Sequence, residues 1–166
     1  ALDAGVSSVM PYYGVPINVT YEGVTYDQVG FAFSKQVVTD LLRGKLGFQG
    51  YVNSDTGIIN DRAWGLENKT VPERVAAAVN GGTDTLSGFH DKQTIIDLVS
   101  AGLVSAARVE EAARRLLKEQ FLLGLLLYLK LSPITQTALA NMGAAMKEPT
   151  LRFFADQGVT VKVISG

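Results

Sequence analysis

Gly50-Tyr51-Val52-Asn53-Ser54-Asp55-Thr56-Gly57 reads as a short buried strand that ends in a carboxylate and then breaks into a glycine-containing loop. A charge just past the C-terminal end of a strand is where an α/β protein keeps its chemistry. The stretch therefore predicts an α/β fold and a catalytic role for Asp55.

Strand and helix patterns alternate on both sides of it. Upstream, Val6 to Met10 reads as a strand stopped by Pro11, followed by a Tyr-, Gly- and Pro-rich loop to about Gln28. Ser34 then caps a helix whose apolar positions Val37, Val38, Leu41, Leu42 and Leu46 follow the 3.6-residue period, with Gly44 and Gly47 at its end. The central strand runs from Phe48 to Asn53. Downstream, Thr70-Val71-Pro72-Glu73 is a capping box with Pro at the first helical position, predicting a helix over 72–79 closed by Gly81-Gly82. Thr83 to Leu86 is a short third strand. Asp91 caps a helix to Val99, closed by Gly102. Ser105 caps another, with Val109, Ala112, Ala113, Leu116 and Leu117 on one face. Arg114, Arg115 and Lys118 read as its solvated face.

This order argues for a parallel sheet with right-handed crossovers. Three such units do not close a barrel, since eight need roughly 250 residues. The fold class expected is α/β, a partial (β/α)8 (TIM) barrel over residues 1–124. Residues 125–166 differ in texture and read as a linker plus a helix and strand, 151–158 and 159–164.

With 166 residues, 47% hydrophobic and 19% charged, the chain can bury one core. A net charge of −1 gives no electrostatic footprint for nucleic acid or anionic lipid. The run Phe121 to Leu129 is shorter than the roughly 20 residues that span a bilayer. Neither nucleic acid nor membrane is expected as a partner. Cysteine is absent, which excludes a disulfide scaffold and thiolate metal sites. No cluster has metal-ligand spacing and no Gly-rich loop has phosphate-binding spacing, so no metal or cofactor is expected. The opening Ala1-Leu2-Asp3-Ala4-Gly5 reads as the end of a helix, and the expectation is a piece of a longer protein.

Five stretches, in this order and spacing, resemble the nucleophile-bearing part of glycoside hydrolase family 3, the β-glucosidase and β-xylosidase group. They are Ala4 to Gly14, Val38 to Arg43, Gly47 to Asp55, Ala76 to Asp84 and Arg114 to Lys118. The resemblance implies that Asp55, in the Ser-Asp after the seventh barrel strand, is the nucleophile. It places the family's Met-x-x-Tyr on Met10 and Tyr13, with Tyr13 close to Asp55. Many members carry Trp directly after the aspartate; here Thr56 stands, and Trp64 is a substitute candidate for substrate binding. The resemblance also implies a β-linked glucoside or oligosaccharide as substrate, a secreted or periplasmic setting, and the missing part of the barrel plus a sandwich domain as partners, with self-association as the alternative. Residues 149–166 resemble part of the phosphorylation domain of P-type cation ATPases, without its Asp-Lys-Thr-Gly motif.

Retaining glycoside hydrolysis needs a second carboxyl group about 5–5.5 Å from the first. The nearby carboxylates by sequence, Asp61, Glu67 and Asp84, read as loop or capping residues. The family's own acid lies in the sandwich domain or in a Lys-His-x-Pro-Gly loop, and neither is present. His90, the only histidine, reads as a loop residue. Trp64 stands between a sugar platform and a packed loop residue, and Tyr12 reads as a loop anchor. The functional expectation is a retaining β-glucosidase fragment without its acid/base. A non-catalytic carbohydrate-binding or assembly fragment and a phosphate-handling domain are the alternatives.

Overall fold

The structure, a computed structural model, describes residues 1–123. The expectations for residues 125–166 lie outside the described residues. The chain divides into two units, Ala1–Glu119 and Gln120–Gly166. The core, the parallel strands and the crevice described below all lie in the first.

After a 3-10 turn at Leu2–Ala4, the elements are β1 (Ser8–Val9), β2 (Thr20–Tyr21), β3 (Val24–Thr25), a second 3-10 turn (Phe31–Phe33), a π-helix (Gln36–Lys45), β4 (Tyr51–Val52), α1 (Val71–Gly81), α2 (Lys92–Ser100) and α3 (Ala106–Leu122). β1 pairs parallel with β4, Ser8 opposite Tyr51 and Val9 opposite Val52. One residue further, Asn53 forms a parallel bridge with Thr85. Two of the three expected strands are thus present and parallel, each shorter than its apolar run, and the third, expected over Thr83 to Leu86, is reduced to the single bridge at Thr85. The backbones lie close: a Cβ on Gly50 would come within 2.0 Å of the Ser7 carbonyl oxygen.

Two differences from the sequence reading have local causes. The segment read as loop before Gln28 contains an antiparallel hairpin, β2–β3, turned by Glu22 (φ 47°) and Gly23 (φ 78°). Two consecutive left-handed residues match the twist of a two-residue hairpin, but Glu is not the residue usually found there. The helix over 36–45 winds with five-residue hydrogen bonds, Leu46 N–H donating to the Leu41 carbonyl at 2.9 Å. Gly44 is therefore interior rather than a left-handed end, and Leu46 is exposed, while Gly47 does take φ 71°. The N-cap is Lys35 rather than the expected Ser34, whose hydroxyl still accepts the Val37 N–H at 3.3 Å. This helix packs on the C-terminal end of α1, where Thr39 donates to the Gly81 carbonyl at 2.8 Å. At Gly82, a Cβ would meet Thr39 Oγ1 at 2.6 Å.

The main core joins Phe33, Ile58 and Ile59 to Val75, Ala78 and Val79 of α1, with Leu98 and Val104 behind. A smaller cluster, Val38, Phe48 and Val52, sits under β4. The capping box that predicts α1 is complete: Thr70 Oγ1 accepts the Glu73 N–H, and the Glu73 carboxylate accepts the Thr70 N–H at 2.8 Å. Thr70 is the cap and Pro72 the second helical residue, one place later than expected. The Thr70 N–H first, then its hydroxyl and Lys69, pull the Glu73 carboxyl down to about 2.

A carboxyl lowered on folding stabilises the fold above its ordinary value of 4.5 and loses that contribution as pH falls through about 2. The melting-temperature gap between the wild type and Glu73→Ala should therefore stay constant above about pH 5 and close between 4.5 and 2. Thermal melts from pH 7 to pH 2 check this, and a gap that widens on acidification would contradict it.

Candidate functional site

Beyond the Asn53 bridge the chain turns out of the sheet. Ser54 is buried and Asp55 follows with its side chain about a quarter exposed (24%). One Asp55 carboxylate oxygen accepts the Thr56 N–H at 2.7 Å, and the other lies 4.0 Å from the Arg62 guanidinium. Asp55 lines a crevice, too narrow to hold a water molecule, that it shares with Tyr12, Tyr13, Phe31, Ile58 and Trp64. Tyr13 stacks on Trp64 with ring centroids 5.4 Å apart and planes inclined at 28°. Tyr12 lies against Tyr13 at 4.9 Å and meets Phe31 edge-on.

The Trp64 loop is forced into place. Trp64 itself has φ 30°, in the left-handed region that costs a bulky residue energy. The Gly30 N–H donates to the Trp64 carbonyl at 2.8 Å. Gly65 follows at φ 93°, and a Cβ there would come within 2.4 Å of the Gln28 carbonyl. Arg74, on α1, donates to the carbonyls of Ile59, Leu66 and Glu67, so one guanidinium pins both ends of the loop.

Of the residues singled out from sequence, Asp55, Tyr13 and Trp64 come together. Met10 is exposed and is not among the residues lining this crevice. Thr56 lies beside the Gly88 turn, its methyl 3.2 Å from where a Gly88 Cβ would stand. His90 is exposed. Arg62, Arg74 and Ser54 were not singled out. The signals for them were slight: a cation seven residues past Asp55, and a hydroxyl before the carboxylate.

Two of the three candidate second carboxylates are engaged elsewhere. Glu67 receives the Gly65 N–H on both oxygens at 3.0 Å, and that donor lowers its pKa. Asp61 is exposed in the turn that Gly57 opens.

Asp84 does more than the sequence reading gives it. It does lie in irregular backbone, just before the Thr85 bridge, but its side chain is fully buried and accepts from Arg43, Arg108, Arg115 and the Val52 N–H at 2.6–2.9 Å. Arg115, read as solvated, faces inward for the same reason. Arg108, Ala112 and Arg115 share one helix face at i, i+4, i+7, so the inward cations were open to detection. Burial lowers the Arg43 pKa, against the opposing charge of Asp84.

Among the described residues, no group of three or more His, Asp or Glu is placed to hold a metal ion, and no helix is long and apolar enough to cross a membrane.

Comparison with known proteins gives the site its setting. The sequence model of the glycosyl hydrolase family 3 N-terminal domain matches residues 1–118. The probable beta-glucosidase C of Aspergillus flavus is 43% identical over 135 residues, covering 75% of this chain and 20% of that protein. The periplasmic beta-glucosidase/beta-xylosidase of Dickeya chrysanthemi is 33% identical over 144 residues, covering 75% and 22%. The chain thus spans about a fifth of the length of these curated relatives. Among solved structures, the beta-N-acetylhexosaminidase of Beutenbergia cavernae superposes with a TM-score of 0.53 at 29% identity, over 72% of this chain and 35% of that one. The match to the family's N-terminal domain runs through both the parallel strands and the Asp55 crevice, and the chain belongs to glycosyl hydrolase family 3.

Proposed function

We propose that this chain is the nucleophile-bearing part of a retaining β-glucosidase, residues 1–124 forming the C-terminal part of a (β/α)8 barrel. One observation carries the reading: Asp55 leaves the C-terminal end of a parallel strand and opens onto a crevice that also holds Tyr13 and Trp64. In this reading an Asp55 oxygen attacks the anomeric carbon, the bond to the leaving oxygen breaks, and a glycosyl ester forms. Water then cleaves the ester with retention. Tyr13 and Trp64 offer aromatic surface to the C–H face of the sugar. The β-glucoside substrate follows from the names of the relatives.

Two of the three carboxylates nearest in sequence are poor candidates for the acid that protonates the leaving oxygen, and the third, Asp61, is an exposed turn residue. Asp84 has every lone-pair direction taken by a donor, and Glu67 holds its own loop. We place the acid outside residues 1–123. Leaving-group chemistry separates the two steps: dinitrophenolate departs without protonation, whereas an alkoxide needs the acid. Incubation of the chain with 2,4-dinitrophenyl 2-deoxy-2-fluoro-β-glucoside should add one fluoroglucosyl mass on the peptide containing Asp55, while alkyl β-glucosides are turned over poorly. No label would favour the carbohydrate-binding alternative. Fast, Asp55-dependent turnover of alkyl glucosides would overturn the missing acid.

A further inference from the structure

The hydroxyl beside the proposed nucleophile has a connected set of partners that the chemistry above does not use. Ser54 is 1% exposed. Its Oγ accepts the Ser87 N–H at 2.9 Å and donates to the Asp55 carbonyl at 2.9 Å. That carbonyl and the Thr56 N–H belong to one planar peptide unit. The Thr56 N–H, on the other edge of that plane, donates to the Asp55 carboxylate at 2.7 Å. A chain of three hydrogen bonds therefore runs from the loop after Thr85, through Ser54, to the carboxylate itself. Two more bonds hold the same loops together: Ser54 N–H to the Thr85 carbonyl and Gly57 N–H to the Ser87 carbonyl, each 3.0 Å.

We propose that Ser54 is a positioning residue: it fixes the Asp55–Thr56 peptide plane against the Ser87 loop and so aims the carboxylate. The catalytic consequence rests on the reading of Asp55 as nucleophile; the geometric one does not. A carboxylate with one direct backbone donor and a guanidinium 4.0 Å away has little else to orient it. If the plane is free to rock, the donor swings and the carboxylate follows. A displacement of about 1 Å costs about 10²-fold in a positioned reaction.

The test uses the 166-residue chain with Ser54→Ala, Ser54→Thr and Ser54→Cys. The Thr56 amide proton shift reads the bond to the carboxylate directly and needs no substrate. It should move upfield in Ser54→Ala and return in Ser54→Thr, which keeps the hydroxyl. In parallel, the saturating rate of labelling by the dinitrophenyl fluoroglucoside should fall about 10- to 100-fold in Ser54→Ala. The half-saturating concentration should stay unchanged, a split that loss of fold would not produce. Ser54→Cys, isosteric with weaker bonds, should lie between, and serves if the alanine variant fails to fold. An unmoved Thr56 amide, or wild-type labelling in Ser54→Ala, would overturn the positioning role and leave the nucleophile standing. A wild type that takes no label while its Thr56 amide responds to Ser54→Ala would overturn the nucleophile and keep the positioning.

Discussion

Asp84→Ala is expected to destabilise the chain by about 3–5 kcal/mol, a loss comparable to much of the roughly 5–15 kcal/mol that holds an ordinary domain together. Asp84 is fully buried, and the side chains of Arg43, Arg108 and Arg115 are only 11%, 12% and 18% exposed. With the carboxylate gone, three guanidiniums stay crowded with Glu111 as the nearest remaining anion, itself half exposed. Their donors are already stretched: Arg43 Nε and Arg108 NH1 are buried without a hydrogen-bond partner. Urea denaturation checks the prediction through a fallen midpoint at unchanged slope. Arg115→Ala should cost less, because Asp84 keeps Arg43 and Arg108. Lys35→Ala removes an exposed pair with Asp40 and should cost under about 1 kcal/mol. Equal effects for Asp84 and Lys35 would mean that the buried cluster contributes nothing specific.

That cluster also marks the limit of what the sequence discloses. Local signals carried well: Thr70 with Glu73, Asp91 with the Gln93 and Thr94 amides, Ser105 with the Arg108 amide, and Gly102 at φ 71° all act within four residues of where they stand. Such caps can be read because both partners are visible in one short window. Asp84 finds its cations 41, 24 and 31 residues away, and no window contains them together. The same holds for Ser54 and Ser87, 33 residues apart. The π-winding of 36–45 failed to show because its apolar residues satisfy a 3.6-residue period equally well; its packing on Gly81 and Gly82 is a tertiary fact. At the site, the place of Asp55 just past a parallel strand was legible because the short apolar run and the carboxylate that ends it lie in one window. Its neighbours Tyr13 and Trp64 are 51 residues apart, and only the folded loops, pinned by Gly30 and Arg74, stack them.

Asp55→Ala is expected to lower glucosyl transfer from dinitrophenyl β-glucoside at least about 10⁴-fold, in the range seen when a covalent nucleophile is removed. The fold should be nearly untouched. The side chain gives up one hydrogen bond to the Thr56 N–H and a long contact to an exposed Arg62, with no buried ion cluster like that of Asp84. Melting should therefore separate this variant cleanly from Asp84→Ala: one loses activity at constant stability, the other loses the fold. The stereochemistry of rescue then tests the role itself. Azide can enter the space left by the carboxylate and attack the anomeric carbon from the same side. A carbon–nitrogen bond forms as the bond to dinitrophenolate breaks, so a β-glucoside gives the α-glucosyl azide. Because dinitrophenolate leaves unaided, this rescue does not depend on an acid elsewhere in the enzyme. An α-azide formed by Asp55→Ala and absent with the wild type assigns the attacking oxygen to Asp55. Unimpaired transfer in the variant, or a β-configured product, would move the nucleophile to another residue.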